Sequence, residues 1–167
     1  PRYTQIASDG TNYVVSWIEG QLHSNFIGSG FFTVYARQVD SFGQLVNSNA
    51  AQTGVEIAPH LTSTQSTFGV VSKDFLDLSY HEGSYLFLWT SKSYDPAMGV
   101  YGVSASSDLT NLSPPTAIAG LNGDTLRGDM RQPALPVASH SDAKTFVLWS
   151  SINGWIEGWF IGGEHFQ

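Results

Sequence analysis

Residues 13–18 read Tyr-Val-Val-Ser-Trp-Ile, and the same pattern occurs twice more in the chain. Residues 85–90 read Tyr-Leu-Phe-Leu-Trp-Thr, and residues 145–150 read Thr-Phe-Val-Leu-Trp-Ser. Each copy is rich in β-branched and aromatic residues, which is typical of a β-strand. A turn signal, such as Asp9-Gly10 before the first copy, precedes each strand at nearly the same distance. The sequence therefore predicts three copies of one β-hairpin.

A third strand is predicted after each hairpin, at residues 34–39, 100–105 and 156–161. In the first copy the turn Asp40-Ser41-Phe42-Gly43 then leads into a short fourth strand. No long window shows the spacing of an amphipathic helix. The predicted fold class is all-β, with three blade-like repeats of four antiparallel strands each, a unit size that a propeller blade requires.

Two stretches of the first copy, residues 6–17 and 34–43, also resemble the degenerate β-propeller repeats of large bacterial secreted and cell-surface proteins. The resemblance covers most of residues 1–46, and in the second and third copies it covers only the central strands. It implies propeller blades as the architecture. It implies no single activity, because propellers include lectins, hydrolases, lyases and scaffolds.

The predicted repeats cover residues 1–58, 59–125 and 126–167, and the third is expected to be incomplete. Three blades are too few to close a ring, since propellers have about four to eight. Both ends of the chain fall in mid-pattern. We therefore expect either one structural domain completed by further copies of the chain, or a segment of a larger propeller. A β-trefoil and an irregular β-sandwich are the alternative folds.

The composition limits the classes of partner. The formal net charge is -7, and only 13% of the 167 residues are charged, which argues against binding of nucleic acid. No apolar run approaches the length of about 18 residues that membrane insertion requires. The chain has no cysteine, so it forms no disulfide or zinc-thiolate site, and no cofactor or metal is expected. A polar but uncharged surface favours an extracellular or cell-surface location.

The loops between the second and third strands of each repeat would emerge on one face of a propeller. Their aromatic, amide and carboxylate groups suit neutral polar ligands such as glycans, although polar loop residues are commonly only solvated. The residues predicted for ligand binding are His23, Asn25, Tyr94, Asp95, Asn153 and Trp155, with Phe26 beside them. The repeat tryptophans Trp17, Trp89 and Trp149 are instead predicted to pack in the core, between blades that are buried on both faces.

A second possible binding motif is Arg127-Gly128-Asp129, the tripeptide through which some extracellular proteins engage integrins. It lies in a glycine-rich insertion between two repeats. The alternative is a turn with a solvated ion pair.

The sequence shows no catalytic or metal-binding spacing among its five histidines. We expect His81 and His140 at equivalent rim positions of two repeats and not in one pocket. The predicted function is a non-catalytic extracellular β-repeat module for recognition or assembly, with a glycan or a protein as partner. One alternative is a polysaccharide lyase or glycoside hydrolase on a propeller, for which His23, Tyr94 and His140 are the lyase residues. The other is a structural subunit of a self-assembling surface polymer.

Overall fold

A computed structural model describes eight parts of the chain, residues 2–22, 30–46, 54–58, 73–91, 99–120, 132–141, 144–152 and 159–166. Every regular element in these parts is a β-strand, and every strand pairs with its neighbours in antiparallel fashion. The prediction of an all-β, antiparallel fold is thus confirmed. The described part of the chain contains no helix with the length and hydropathy that a membrane span needs.

The strands form three sheets, and in each sheet the strands follow one another in chain order. The first sheet contains β1 (Arg2–Ser8), β2 (Tyr13–Leu22), β3 (Gly30–Val39) and β4 (Val55–Ala58). The second contains β5 (Lys73–His81), β6 (Ser84–Ser91), β7 (Gly99–Ser106) and β8 (Thr116–Gly120). In the described residues the third contains β9 (Gln132–Ser141), β10 (Lys144–Ile152) and β11 (Trp159–Phe166).

Each sheet has two faces, which we name by the residues of its second strand. Alternate residues of a strand point to opposite faces, so the repeat alignment defines equivalent faces in all three sheets. The front carries Val14, Ser16 and Ile18 in the first sheet, Leu86, Leu88 and Thr90 in the second, and Phe146 and Leu148 in the third. The back carries Tyr13, Val15 and Trp17 in the first sheet, Tyr85, Phe87 and Trp89 in the second, and Thr145 and Val147 in the third.

The sheets stack in one direction, front against back. Val14 and Ile18 on the first front share a buried cluster with Phe87 and Trp89 on the second back. The second front then packs against the third back through a separate cluster that includes Leu88 and Val147. In the same sense β5, the first strand of the second sheet, packs against both β1 and β9. The second sheet is therefore covered on both faces.

Polar contacts join the same sheets at defined points. The side-chain amide of Gln38, buried at the end of β3, donates a hydrogen bond of 2.9 Å to the carbonyl oxygen of Ser107, in the turn that follows β7. The backbone N–H of Ala138 in β9 donates one of 2.9 Å to Oδ2 of Asp77 in β5. A buried polar group costs free energy unless it is paired, so these bonds favour one register of the stack.

The core prediction for the repeat tryptophans is confirmed for Trp89, which is 3% exposed. Trp17 is only partly buried, and its indole Nε1 donates a hydrogen bond of 3.3 Å to Glu19. Trp149 lies in β10 opposite Gly162. The expectation that every blade is buried on both faces is wrong for the first and third sheets, which have exposed apolar residues on one face.

Candidate functional site

The binding residues predicted from the sequence lie outside the described residues. This applies to His23, Asn25, Phe26, Tyr94, Asp95, Asn153 and Trp155, and to the tripeptide Arg127, Gly128 and Asp129. The structure therefore neither supports nor contradicts a ligand site in these loops. The chemistry that can be located lies in the sheets themselves.

Two histidines meet at the seam between the second and third sheets. The imidazole rings of His81 and His140 stack with their centroids 4.6 Å apart and their planes 12° from parallel. Nδ1 of His140 lies 2.9 Å from the Thr145 hydroxyl, while its Nε2 is buried and has no hydrogen-bond partner among the described residues. The expectation that these two histidines would be separated is wrong.

The strand register explains why the two histidines meet. His140 pairs with Thr145, so it corresponds to Tyr80, which pairs with Tyr85. His81 is one residue further along its strand than Tyr80. A shift of one residue moves a side chain to the opposite face of a sheet. His81 therefore lies on the second front and His140 on the third back, where they face each other.

A positive charge on His140 is unfavourable at this seam. Burial lowers the pKa of His140, because the imidazolium is poorly solvated there, and repulsion from His81 lowers it further. The nearby Asp77 carboxylate acts in the opposite direction. Among the described residues, Glu82 is a further charged group at the pair, with its Oε1 4.0 Å from Nε2 of His81. At neutral pH His140 is held neutral, and its buried Nε2 is inaccessible to a substrate.

We expect the folded state to lose stability in mild acid because of this histidine. In the unfolded chain His140 takes up a proton near its usual pKa of about 6.5, whereas the folded state resists that proton. The stabilisation is present above about pH 6.5 and is lost as the pH falls towards the lower folded pKa. Urea unfolding between about pH 7.5 and 5.5 should show this decline.

The matched variant is His140→Phe, which keeps an aromatic ring where the second sheet has Tyr80. The variant should lose less stability than the wild type over the same pH range. The difference in slope is at most about 1.4 kcal/mol per pH unit, the limit for one proton. Equal slopes in the two proteins would show that His140 is not the acid-sensitive group.

The front of the third sheet is an exposed apolar face. Phe146 and Leu148 on β10 are each 45% exposed. Val137 on β9, the partner of Leu148 in the strand pairing, is 50% exposed. The equivalent positions of the first two sheets are all buried. They are Val14 and Ser16 in β2 and Leu86 and Leu88 in β6. We call the third-sheet residues Val137, Phe146 and Leu148 the front end face.

The back of the first sheet is the corresponding face at the other end of the stack. Trp17 and Tyr35 stack there with ring centroids 6.0 Å apart. Ile6 on β1 is 61% exposed, and Tyr13 on β2 is also exposed. We call the four residues Ile6, Tyr13, Trp17 and Tyr35 the back end face. The stack thus has a different apolar surface at each end.

Away from the end faces, the described residues also form a cleft. A small cleft lies between the first two sheets and is lined partly by Arg37, Leu45, Val55 and Asp108. Its cavity volume is about 20 Å³, enough for roughly one water molecule. Within the described residues no group of three or more histidine, aspartate or glutamate side chains could hold a metal ion.

Comparisons of the chain with protein-family models, with curated proteins and with solved structures found no match.

Proposed function

We propose that this chain is a non-catalytic β-repeat module of propeller-type blades, which acts in assembly through protein contacts made by its end faces. The proposal places it outside the cell or on the cell surface, as the uncharged polar surface favours. The blade interpretation is supported by the meander order of the strands in each sheet and by the packing of β5 against β1 and β9. A trefoil or a sandwich does not require front-to-back stacking of such sheets.

The observation that carries the assembly function is the exposed front end face. In repeat proteins the terminal units need a polar outer surface to remain soluble alone. Here Phe146 and Leu148 occupy the positions at which Leu86 and Leu88 are buried by the next sheet. Contiguous exposed apolar residues of this kind mark protein contact sites. A protein partner therefore fits this face better than a glycan, which needs polar groups.

Phe146→Asp should abolish association of the chain in sedimentation-velocity experiments across a range of concentrations. The wild type should show a mass that rises with concentration, because the apolar face is removed from water on contact. The Phe146→Asp chain should stay at the mass of one chain, since a carboxylate cannot be buried there without a partner.

Phe42→Asp is the matched control, because Phe42 is 85% exposed in the β3–β4 turn and belongs to neither end face. It should associate as the wild type does. If Phe42→Asp weakened association as much as Phe146→Asp, non-specific apolar contact would account for the behaviour. A wild type that stays at the mass of one chain at every concentration would count against assembly.

Glycan binding is the second candidate function, and the back end face favours it. Trp17 and Tyr35 are half-buried and stacked, so their remaining surface offers an aromatic platform for a sugar ring. The carboxylate of Glu19, which accepts the hydrogen bond from the Trp17 indole, lies beside this platform and can accept another from a sugar hydroxyl. A glycan array should then show binding by the Phe146→Asp chain that is lost when Trp17→Ala is added. Binding that survives Trp17→Ala would exclude this platform.

A further inference from the structure

We infer that the partner of the front end face is the back end face of a second copy of this chain, so that the copies associate head to tail. The inference rests on the proposed assembly function and specifies its partner and geometry. Its basis is continuity with two interfaces already inside the molecule. In both of them the front of one sheet is covered by the back of the following sheet.

The back end face has the chemistry of the back surface that is buried inside the molecule. On the second back, Trp89 and Tyr101 stack with ring centroids 6.1 Å apart and planes 16° from parallel. Trp17 and Tyr35 repeat this pair on the first back, at 6.0 Å and 27°. The register is also the same, because Trp89 pairs with Tyr101 as Trp17 pairs with Tyr35. The pair of Trp89 and Tyr101 packs on the front of another sheet, whereas within the described residues no sheet packs on Trp17 and Tyr35.

The front end face has the chemistry of the internal fronts. Leu148 occupies the position of Leu88, which packs in one cluster with Val147 on the third back. Ala138 in β9, the partner of Val147 in the strand pairing, packs against that cluster. The first-sheet residues that correspond to Val147 and Ala138 are Val15 and Ile6, which also pair with each other. Leu148 of one copy should therefore approach Ile6 of the next.

The two ends of the stack differ, so the contact is heterologous. When the front end face of one copy binds the back end face of a second copy, the first copy keeps a free back end face and the second a free front end face. Contacts of this kind either close into a ring or continue as a polymer. A symmetric dimer would instead place two copies of one face together. The two arrangements predict different neighbours for Leu148, and this difference can be measured.

Cysteine cross-linking separates the two arrangements, because the wild-type chain has no cysteine. One chain carries Ile6→Cys and another carries Leu148→Cys, both at exposed positions. A short bismaleimide should give several-fold more covalent dimer in the mixture than in either variant alone. Phe42→Cys mixed with Leu148→Cys is the control and should give no more than the background.

Charge complementation gives a second readout that does not depend on the cysteine variants. Neither the Phe146→Asp chain nor an Ile6→Lys chain should associate alone. A mixture of the two should recover association in sedimentation velocity, because the wild-type front of the Ile6→Lys chain can bind the wild-type back of the Phe146→Asp chain. At the other contact the two introduced charges have opposite signs. Circular dichroism of each variant alone confirms that it is folded before mixing.

The outcomes distinguish this inference from the function on which it rests. More cross-linking of Leu148→Cys with itself than with Ile6→Cys, or no recovery of association on mixing, would overturn the head-to-tail contact. Concentration-dependent association of the wild type would in that case still support assembly. Absence of association in the wild type would remove both proposals together.

Discussion

Leu88→Ala is expected to lower the free energy of unfolding by about 2–5 kcal/mol, the range for a buried leucine reduced to alanine. Leu88 is fully buried between the second and third sheets, in the cluster that contains Val147. Its Cδ2 lies against the backbone of Gly102 in the neighbouring strand, so neighbouring atoms cannot readily fill the space. Urea unfolding followed by tryptophan fluorescence would measure the loss.

Leu148→Ala is the matched control, since Leu148 is the same residue type at the same repeat position. It is 45% exposed, so its truncation removes less buried area and should cost about 1 kcal/mol or less. The measurement has to be made at a concentration at which the chain is a single copy. Equal losses in the two variants would show that the third front is covered as completely as the second, contrary to the structure.

Gly54→Ala is the second substitution with a large expected effect, a loss of about 2–4 kcal/mol in unfolding free energy. Gly54 precedes β4 with a φ of +99°, which L side chains rarely adopt. A Cβ there would lie 2.9 Å from the carbonyl oxygen of Ala36 and 3.0 Å from the ring of Trp17. Ala36 belongs to β3, which is paired on both sides, so this backbone oxygen cannot easily move.

Gly10→Ala separates the two causes. Gly10 has a similar φ of +90°, but no atom lies within 4 Å of the position that a Cβ would occupy. It should lose only the conformational part, about 1–2 kcal/mol. A comparison of the two variants by thermal or urea unfolding gives the cost of the contact with Ala36 and Trp17. If both lost the same amount, the close approach at Gly54 would contribute nothing.

The strands of the hairpins could be predicted from the sequence because their signals are local. The fourth strand of the first sheet was predicted wrongly at residues 44–46, directly after the turn at Asp40, and lies instead at Val55–Ala58. The alternation from Tyr13 to Ile18 and the turn at Asp9-Gly10 depend only on neighbouring residues, and both are present in the structure. Asp9 accepts hydrogen bonds from the N–H groups of Thr11 and Asn12, which explains why an aspartate begins this turn. The repeated tryptophan motif also identified the central strand of each sheet.

The sites could not be predicted in the same way, because they depend on which sheet lies beside which. The sequences around Trp17 and Trp89 look alike, yet Trp89 is buried and Trp17 is half-exposed, because none of the sheets that the structure describes packs on the first back. The contact between His81 and His140 depends on a one-residue difference in their repeat positions, which places them on opposite faces of two separate sheets. The only sequence signal for it was that the turn-proximal histidines are not aligned at the same repeat position.

The front-to-back order of the sheets has a consequence for how such a chain can change in length by gene duplication. Inside the stack, the front of one sheet is covered by the back of the next sheet. A duplicated copy would therefore carry both kinds of surface. The front of the new copy then faces the back of the sheet that follows it. The same back surface occurs twice in the chain, as the stacked pair Trp17 and Tyr35 and as the stacked pair Trp89 and Tyr101. A stack with direction can therefore grow by repetition with every sheet in the same orientation, whereas a stack built on symmetric contacts would have to reverse the orientation of each added sheet.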